Sequence, residues 1–273
     1  MTKTIGALLA TLVTTAVATV PTVEVAPGVH MPQLNLGTCC GSKPSVGLLP
    51  WFKAGGTGID TAWDYFDQKD IGKALAASGR ARSEYFVLTK VPPILDAAKK
   101  VKDDLKQLGL EQADLILLHN PTTKASNAKL YAQLEDALAQ NLTRAIGISD
   151  FSQKQLADLL ETAKVVPAVH QAQMSVGNHP DDVIAYGNKH GITFEAWNVL
   201  KGCDRTHPTV VSVAAAHNVS TVQVCLRYII DRGCVMAVGT GKDASTVEDY
   251  AAENIAVFDF KLTDDEVTQL SAI

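Results

Sequence analysis

Eight short apolar runs punctuate the chain: LNLGTC (34–39), TGIDTA (57–62), FVLTKV (86–91), DLILLH (114–119), RAIGIS (144–149), VHQAQM (169–174), ITFEAWNVL (192–200) and CVMAVGTG (234–241). Each is nearly continuous in apolar residues, as parallel strands buried on both faces are. Between them lie segments with helical spacing. AAKKVKDDLKQLGL (97–110) carries apolar residues at 101, 105 and 108, and a glycine, Gly109, stands near its end. Similar segments cover 129–140, 152–164, 181–191 and 220–233. Each stops near a Gly, a Pro or a polar turn, and Ser152 and Asp181 are expected N-caps. Strand and helix alternating eight times predict an α/β fold, a (β/α)8 TIM barrel rather than an open sheet. PTVEVAPGVHMP (21–32) reads as a two-strand hairpin turning at Ala26-Pro27-Gly28, placed to close the barrel bottom. No internal repeat, low-complexity tract or linker interrupts this pattern.

Composition supports one large core. The 273 residues are 47% hydrophobic and 19% charged, and a barrel domain commonly needs about 250 residues. Net charge is -5 with lysines and arginines scattered, so no nucleic-acid surface is expected. The five cysteines, Cys39, Cys40, Cys203, Cys225 and Cys234, form no CxxC pair and no zinc spacing, so no metal site is expected. Their odd number excludes a complete disulfide framework, and most are expected as reduced core or strand residues. The N-terminus, MTKTIGALLATLVTTAVATV, has one lysine before a charge-free run and an Ala16-Val17-Ala18 site. This reads as a signal peptide over 1–18, too short and threonine-rich for a membrane span. The alternative is an apolar extension, or a misplaced start, on a cytoplasmic protein. A removed leader implies secretion and a mature domain over 19–273, in which two N-x-S/T sequons occur at Asn141 and Asn218.

Active sites of such barrels lie at the C-terminal ends of the strands. Asp60 ends the second run with Tyr65 just beyond it, Lys90 ends FVLTK, and His119 ends LILLHNP. Singly, each has a plain structural use: an aspartate caps a turn, a lysine extends to solvent, a histidine sits in a core. Together, at adjacent strand ends, they fit one chemical task. An ammonium beside a phenol favours the phenolate and is expected to lower the phenol's pKa from about 10. A carboxylate holds the lysine charged, and a histidine hydrogen-bonds a carbonyl oxygen. Such a set polarises a C=O and protonates its oxygen as hydride reaches carbon.

GIDTAWDY, FVLTK and DLILLHNP resemble the aldo-keto reductases in order, spacing and context, and the resemblance runs from MPQLNLGT (31–38) to FDFKLTDDEVTQL (258–270). It implies that Tyr65 donates the proton, that Lys90 and Asp60 tune it, and that His119 orients the carbonyl. It implies hydride from NADPH, with NADH as the alternative. Ser149 and Gln171 match contacts to the nicotinamide carboxamide. Asp150 replaces an asparagine and cannot donate when ionised. Trp197 stands where a tyrosine usually stacks on the ring, and Asn198 replaces a serine. Gly239 and Gly241 open a loop suited to phosphates, with Lys242 and Ser245 placed to meet a 2'-phosphate. Glu253-Asn254 matches a further cofactor contact, but Tyr250 stands where the family often has an arginine.

Trp51, Trp63 and Phe66 fall in early loops and are expected, with His119, to line an apolar substrate pocket. The chain ends soon after its last helical segment, and the insertion after the fourth strand is short. An open site for small aldehydes and ketones is therefore expected, on a monomer without a membrane span in its mature part. The rival reading is a cofactor-binding regulatory protein on the same barrel, in which Tyr65 and Lys90 together would have no use.

Overall fold

The computed structural model describes residues 20–40, 42–94 and 96–273. The expected leader lies outside the described residues. The first elements among the described residues are the two strands of an antiparallel hairpin, β1 (Thr22–Ala26) and β2 (Val29–Pro32). Its turn runs through Pro27 and Gly28, and Gly28 takes φ 71°, a left-handed conformation that glycine adopts without steric cost.

Eight parallel strands then close into a barrel: β3 (Leu34–Gly37), β4 (Gly58–Asp60), β5 (Phe86–Val91), β6 (Ala113–Leu118), β7 (Thr143–Ser149), β8 (Val169–Gln173), β9 (Thr193–Trp197) and β10 (Val235–Val238), with β10 pairing both β9 and β3. All eight apolar runs are barrel strands. The hairpin is the floor: Val25, Val29 and Met31 pack against Phe86, Leu88, Leu115 and Leu117 inside the barrel. Arg144 ties it down by donating to the Gly28 carbonyl at 2.6 Å.

The outer layer is α1 (Pro44–Ala54), α2 (Gln68–Ser78), α3 (Ala97–Leu108), α4 (Lys124–Ala139), α5 (Gln153–Leu160), α6 (Asp181–Lys189), α7 (Pro208–His217), α8 (Thr221–Asp231), α9 (Val247–Ile255) and α10 (Asp264–Leu270). Apolar spacing alone pointed to five of these. The first two are interrupted by Pro50 and by small residues, which blur the period, yet both pack on the barrel wall. Ser152 is the N-cap of α5 and accepts from the Gln155 backbone. Asp181 is not a cap: Pro180 precedes the helix, and Asp181 lies in its first turn, where a carboxylate complements the helix dipole. No single helix among the described residues is long and apolar enough to cross a membrane.

Four cysteines depart from the expectation that they are reduced. Cys203, after β9, is bonded to Cys225 on α8, and Cys39 is bonded to its neighbour Cys40. Cys203 and Cys225 are 22 residues apart and meet only because α8 folds back under the β9 loop. Cys234 is free and buried.

A cross-link closing a loop of this size is worth about 3 kcal/mol. The Cys203→Ala/Cys225→Ala double variant is expected to lose about that much unfolding free energy in urea. Unchanged stability would show that the bond does not constrain the chain.

Candidate active site

Barrel geometry delivers the four ionisable residues to one rim. Asp60 is the last residue of β4, Lys90 lies near the end of β5, and His119 follows β6 directly, its N–H bonded to the Val91 carbonyl at 2.9 Å. Tyr65 arrives by a different route. After Asp60 the chain makes a 3₁₀ turn, Trp63–Tyr65, closed by the Tyr65 N–H on the Ala62 carbonyl at 3.0 Å. Phe66 ends the turn at φ 60°. The turn folds the phenol back over the strand it came from.

Lys90 is the hub. Its side chain is buried, and Nζ donates to Asp60 Oδ1 at 2.5 Å, to the Thr61 carbonyl at 3.1 Å and to Tyr65 Oη at 3.5 Å. An ammonium has three N–H bonds, and here each has an acceptor. Burial alone would favour the neutral amine, but the Asp60 and Tyr65 oxygens outweigh it and hold Lys90 above its ordinary range.

The phenol departs from expectation. Its pKa is raised rather than lowered, because burial dominates, the Lys90 charge opposes it, and Asp60 cancels part of that opposition. Tyr65 therefore stands as a protonated donor. The His119 ring meets the Tyr65 ring edge-on at 5.5 Å between centroids. Its pKa is lowered by burial and by the Lys90 charge, although Asp64 Oδ1 lies 2.9 Å from Nδ1.

Below the rim, Gln171 on β8 donates from Nε2 to Asp60 Oδ2 and to Glu195 Oε2, both at 2.6 Å. Asn35 on β3 donates to the other oxygen of Glu195 at 3.1 Å. Gly58 leaves room for it, since a Cβ there would strike the Asn35 side chain.

A cavity of about 590 Å³ opens above these groups. Asp60, Tyr65, His119, Ser149, Asp150 and Gln171 border it on one side, and Trp197, Asn198, Gly239 and Gly241 on the other. Asp150 and Asn198 sit at φ 59° and 61° at strand ends, and Trp197 Nε1 donates to Asp150 Oδ1 at 3.0 Å. The carboxylate that cannot donate thus accepts from the indole.

Other expected site residues lie elsewhere. Trp51 is fully buried within α1, its Nε1 donating to the Gly58 carbonyl at 3.0 Å, so it packs under the loops instead of lining a pocket. Trp63 is covered by Lys100, whose Nζ lies 3.8 Å from its ring centroid, and Phe66 is 82% exposed; neither borders the cavity. Lys242 is exposed, while the Ser245 hydroxyl is taken by Asp243 at 2.8 Å. Asn254 is buried and donates to the Gly239 carbonyl at 3.4 Å, and Glu253 lies beside it on α9.

Sequence reasoning missed Asp64, Glu195 and the Cys39–Cys40 pair that borders the cavity. Glu195 had a visible signal, a lone carboxylate inside an apolar strand.

The sequence profile of the Aldo/keto reductase family matches residues 48–273. The chain belongs to this family. It is 31% identical over 275 residues to morphine 6-dehydrogenase of Pseudomonas putida, covering 93% of this chain and 91% of that protein. It is 30% identical to the 9,11-endoperoxide prostaglandin H2 reductase of Trypanosoma cruzi, covering 90% of this chain and 88% of that one. Among solved structures, an aldo/keto reductase from Brucella melitensis superposes with a TM-score of 0.84 at 29% identity, over 93% of this chain and 99% of that one. A Bombyx mori aldo-keto reductase in complex with NADP superposes at 0.81 with 27% identity, over 93% and 92%.

Removing one member of a buried ion pair costs about 3–5 kcal/mol, because the other charge is left unpaired. Lys90→Met is expected to lose stability on that scale in urea denaturation, and Lys90→Met/Asp60→Leu to recover most of it. A single variant as stable as the wild type would show that the pair is not desolvated as described.

Proposed function

We propose that this protein reduces small aldehydes and ketones to alcohols with NADPH, Tyr65 acting as general acid. The observation that carries the reading is the Lys90 ammonium, held by Asp60 and directed at Tyr65 Oη on the cavity wall beside His119.

A carbonyl oxygen seated between Tyr65 and His119 meets two donors. Tyr65 gives up its proton as negative charge builds on that oxygen. The charge on Lys90, 3.5 Å away, stabilises the phenolate left behind. Asp60 keeps that ammonium in place without touching the substrate. His119, neutral because burial and Lys90 disfavour its charged form, adds a hydrogen bond without adding a second cation.

The cavity's polar groups fit a nicotinamide carboxamide. The carboxyl groups of Asp60 and Glu195 fix Gln171 Nε2, so Oε1 is left as a free acceptor, and Ser149 Oγ has no hydrogen bond among the described residues. An acceptor beside a hydroxyl donor complements a primary amide. Reduced nicotinamide, when bound, supplies hydride to the carbonyl carbon. Trp197 offers a flat face for its ring, with Asn198 adjacent. Gly239 and Gly241 let the backbone approach phosphates, and Glu253 and Asn254 lie behind that loop. NADP in the Bombyx mori relative favours NADPH here, with Lys242 as the nearby cation. Asp243 on Ser245 and the acidic first turn of α9, Glu248 and Asp249, favour NADH as the second reading. A spacer of only residues 119–123 between β6 and α4 leaves the substrate side open, which suits a broad range of small carbonyls.

Purified protein mixed with a reactive aromatic aldehyde and NADPH, then NADH, is expected to consume the reduced cofactor. Tyr65→Phe is expected to lose about 10²–10⁴-fold in rate. Cofactor binding without turnover would favour the regulatory reading instead. The lowered His119 pKa keeps the imidazole neutral below pH 6.5, its ordinary midpoint. The rate is therefore expected to hold level as pH falls from 7 through 6.5. A fall centred on 6.5 would show that His119 charges normally.

A further inference from the structure

Glu195 has no place in the mechanism above, yet it is fully buried directly beneath it. Its two oxygens are claimed from opposite sides, by Asn35 Nδ2 on β3 at 3.1 Å and by Gln171 Nε2 on β8 at 2.6 Å. The same Gln171 nitrogen also donates to Asp60 Oδ2 at 2.6 Å. Both hydrogens of that amide are thereby committed to carboxyl oxygens, so turning the amide over would break both bonds and place Oε1 against the Asp60 carboxylate. An amide anchored by Asp60 alone would be held by one of its two hydrogens. Glu195 is the group that removes the remaining freedom.

We propose that Glu195 is a positioning residue: through Gln171 it fixes which amide atom faces the cavity, and it joins Asp60 and Lys90 in one buried charge group whose balance sets proton donation by Tyr65. The inference rests on the reductase reading of the site.

The groups facing Glu195 from other strands are Asn35 on β3, Gln171 on β8, Asp60 on β4 and Lys90 on β5. Lys90 and Asp60 are the charged members, so a single cation faces two carboxyls. Burial first, and then the Asp60 charge, push Glu195 up to about 8. At neutral pH the group therefore holds one ammonium, one carboxylate and one neutral carboxyl. Ionisation of Glu195 at higher pH adds a negative charge near Lys90, which makes loss of the Tyr65 proton harder. His170, beside Gln171 on β8, stays neutral throughout this range, being lowered to about 4 by burial.

Glu195→Gln and Glu195→Leu separate this role from simple packing. Glutamine keeps an acceptor for Gln171, whereas leucine keeps volume and removes the acceptor. NADPH binding, read by quenching of tryptophan fluorescence, is expected to weaken roughly tenfold in Glu195→Leu and to return to within about twofold in Glu195→Gln. Wild-type turnover is expected to fall as pH rises through about 8, and that fall is expected to be absent in Glu195→Gln. Thermal midpoints give a readout free of cofactor. A carboxyl raised in the fold stabilises fully below its unfolded pKa of 4.5, and that contribution is lost as pH rises through about 8. The midpoint of Glu195→Gln relative to wild type should therefore climb between those pH values. A leucine variant that is folded and binds NADPH as tightly as wild type overturns the proposal, as does a glutamine variant no better than leucine. A midpoint difference that does not vary with pH overturns the charge balance. Absence of both binding and turnover in the wild type would instead sink the reductase reading, and the midpoint comparison would still judge Glu195.

Discussion

The buried ammonium of Lys90 is the constraint on which this site depends. A charge without water must be fully hydrogen-bonded or it neutralises. Asp60, the Thr61 carbonyl and Tyr65 supply its three acceptors. Each comes from a different part of the β4 end: the last strand residue, the next backbone carbonyl and the 3₁₀ turn. Satisfying one lysine thus dictates how the chain leaves β4, and the path of that turn puts the phenol beside His119. Local structure and proposed chemistry have a common cause here.

The same accounting extends downward. Asp60 spends one oxygen on Lys90 and the other on Gln171, which spends its second hydrogen on Glu195, which Asn35 steadies from β3. The chain of contacts links four barrel strands before it reaches the fifth at Lys90. Such a network stabilises to the extent that its members are paired, and Asn35 Oδ1 is its one buried atom without a partner among the described residues. It also gives a physical reason why the rim is preorganised: proposed donors on the wall are held by residues that never see substrate. Upward, Trp197 at the end of β9 donates to Asp150 just after β7, reaching across the end of β8.

The cavity's periphery obeys weaker rules. The loop after β10 sets one lysine, Lys242, against Asp243 and the α9 acids Glu248 and Asp249, so charge there is acidic on balance. The two cystine bridges lie on loops after strands that flank β10, Cys39–Cys40 after β3 and Cys203 after β9, and only the first borders the cavity. Family membership accounts for the barrel.

The sequence by itself determined the eight strands, the hairpin and the strand-end acids and bases. Burial on both faces leaves a continuous apolar run, and a polar residue ending such a run is conspicuous. Helices with interrupted spacing, α1 and α2 above all, were not legible because their burial comes from the barrel wall rather than from a clean apolar stripe. Only the tertiary structure decided that Trp51 packs in the core, that Cys203 meets Cys225, that Asp150 accepts from Trp197, and that the Tyr65 pKa moves up. Each of these depends on a residue distant in sequence or on how much water the folded site excludes. Spacing along one chain records which face a side chain is on. It does not record what stands opposite or how dry the place is, and those two quantities set pairing and pKa.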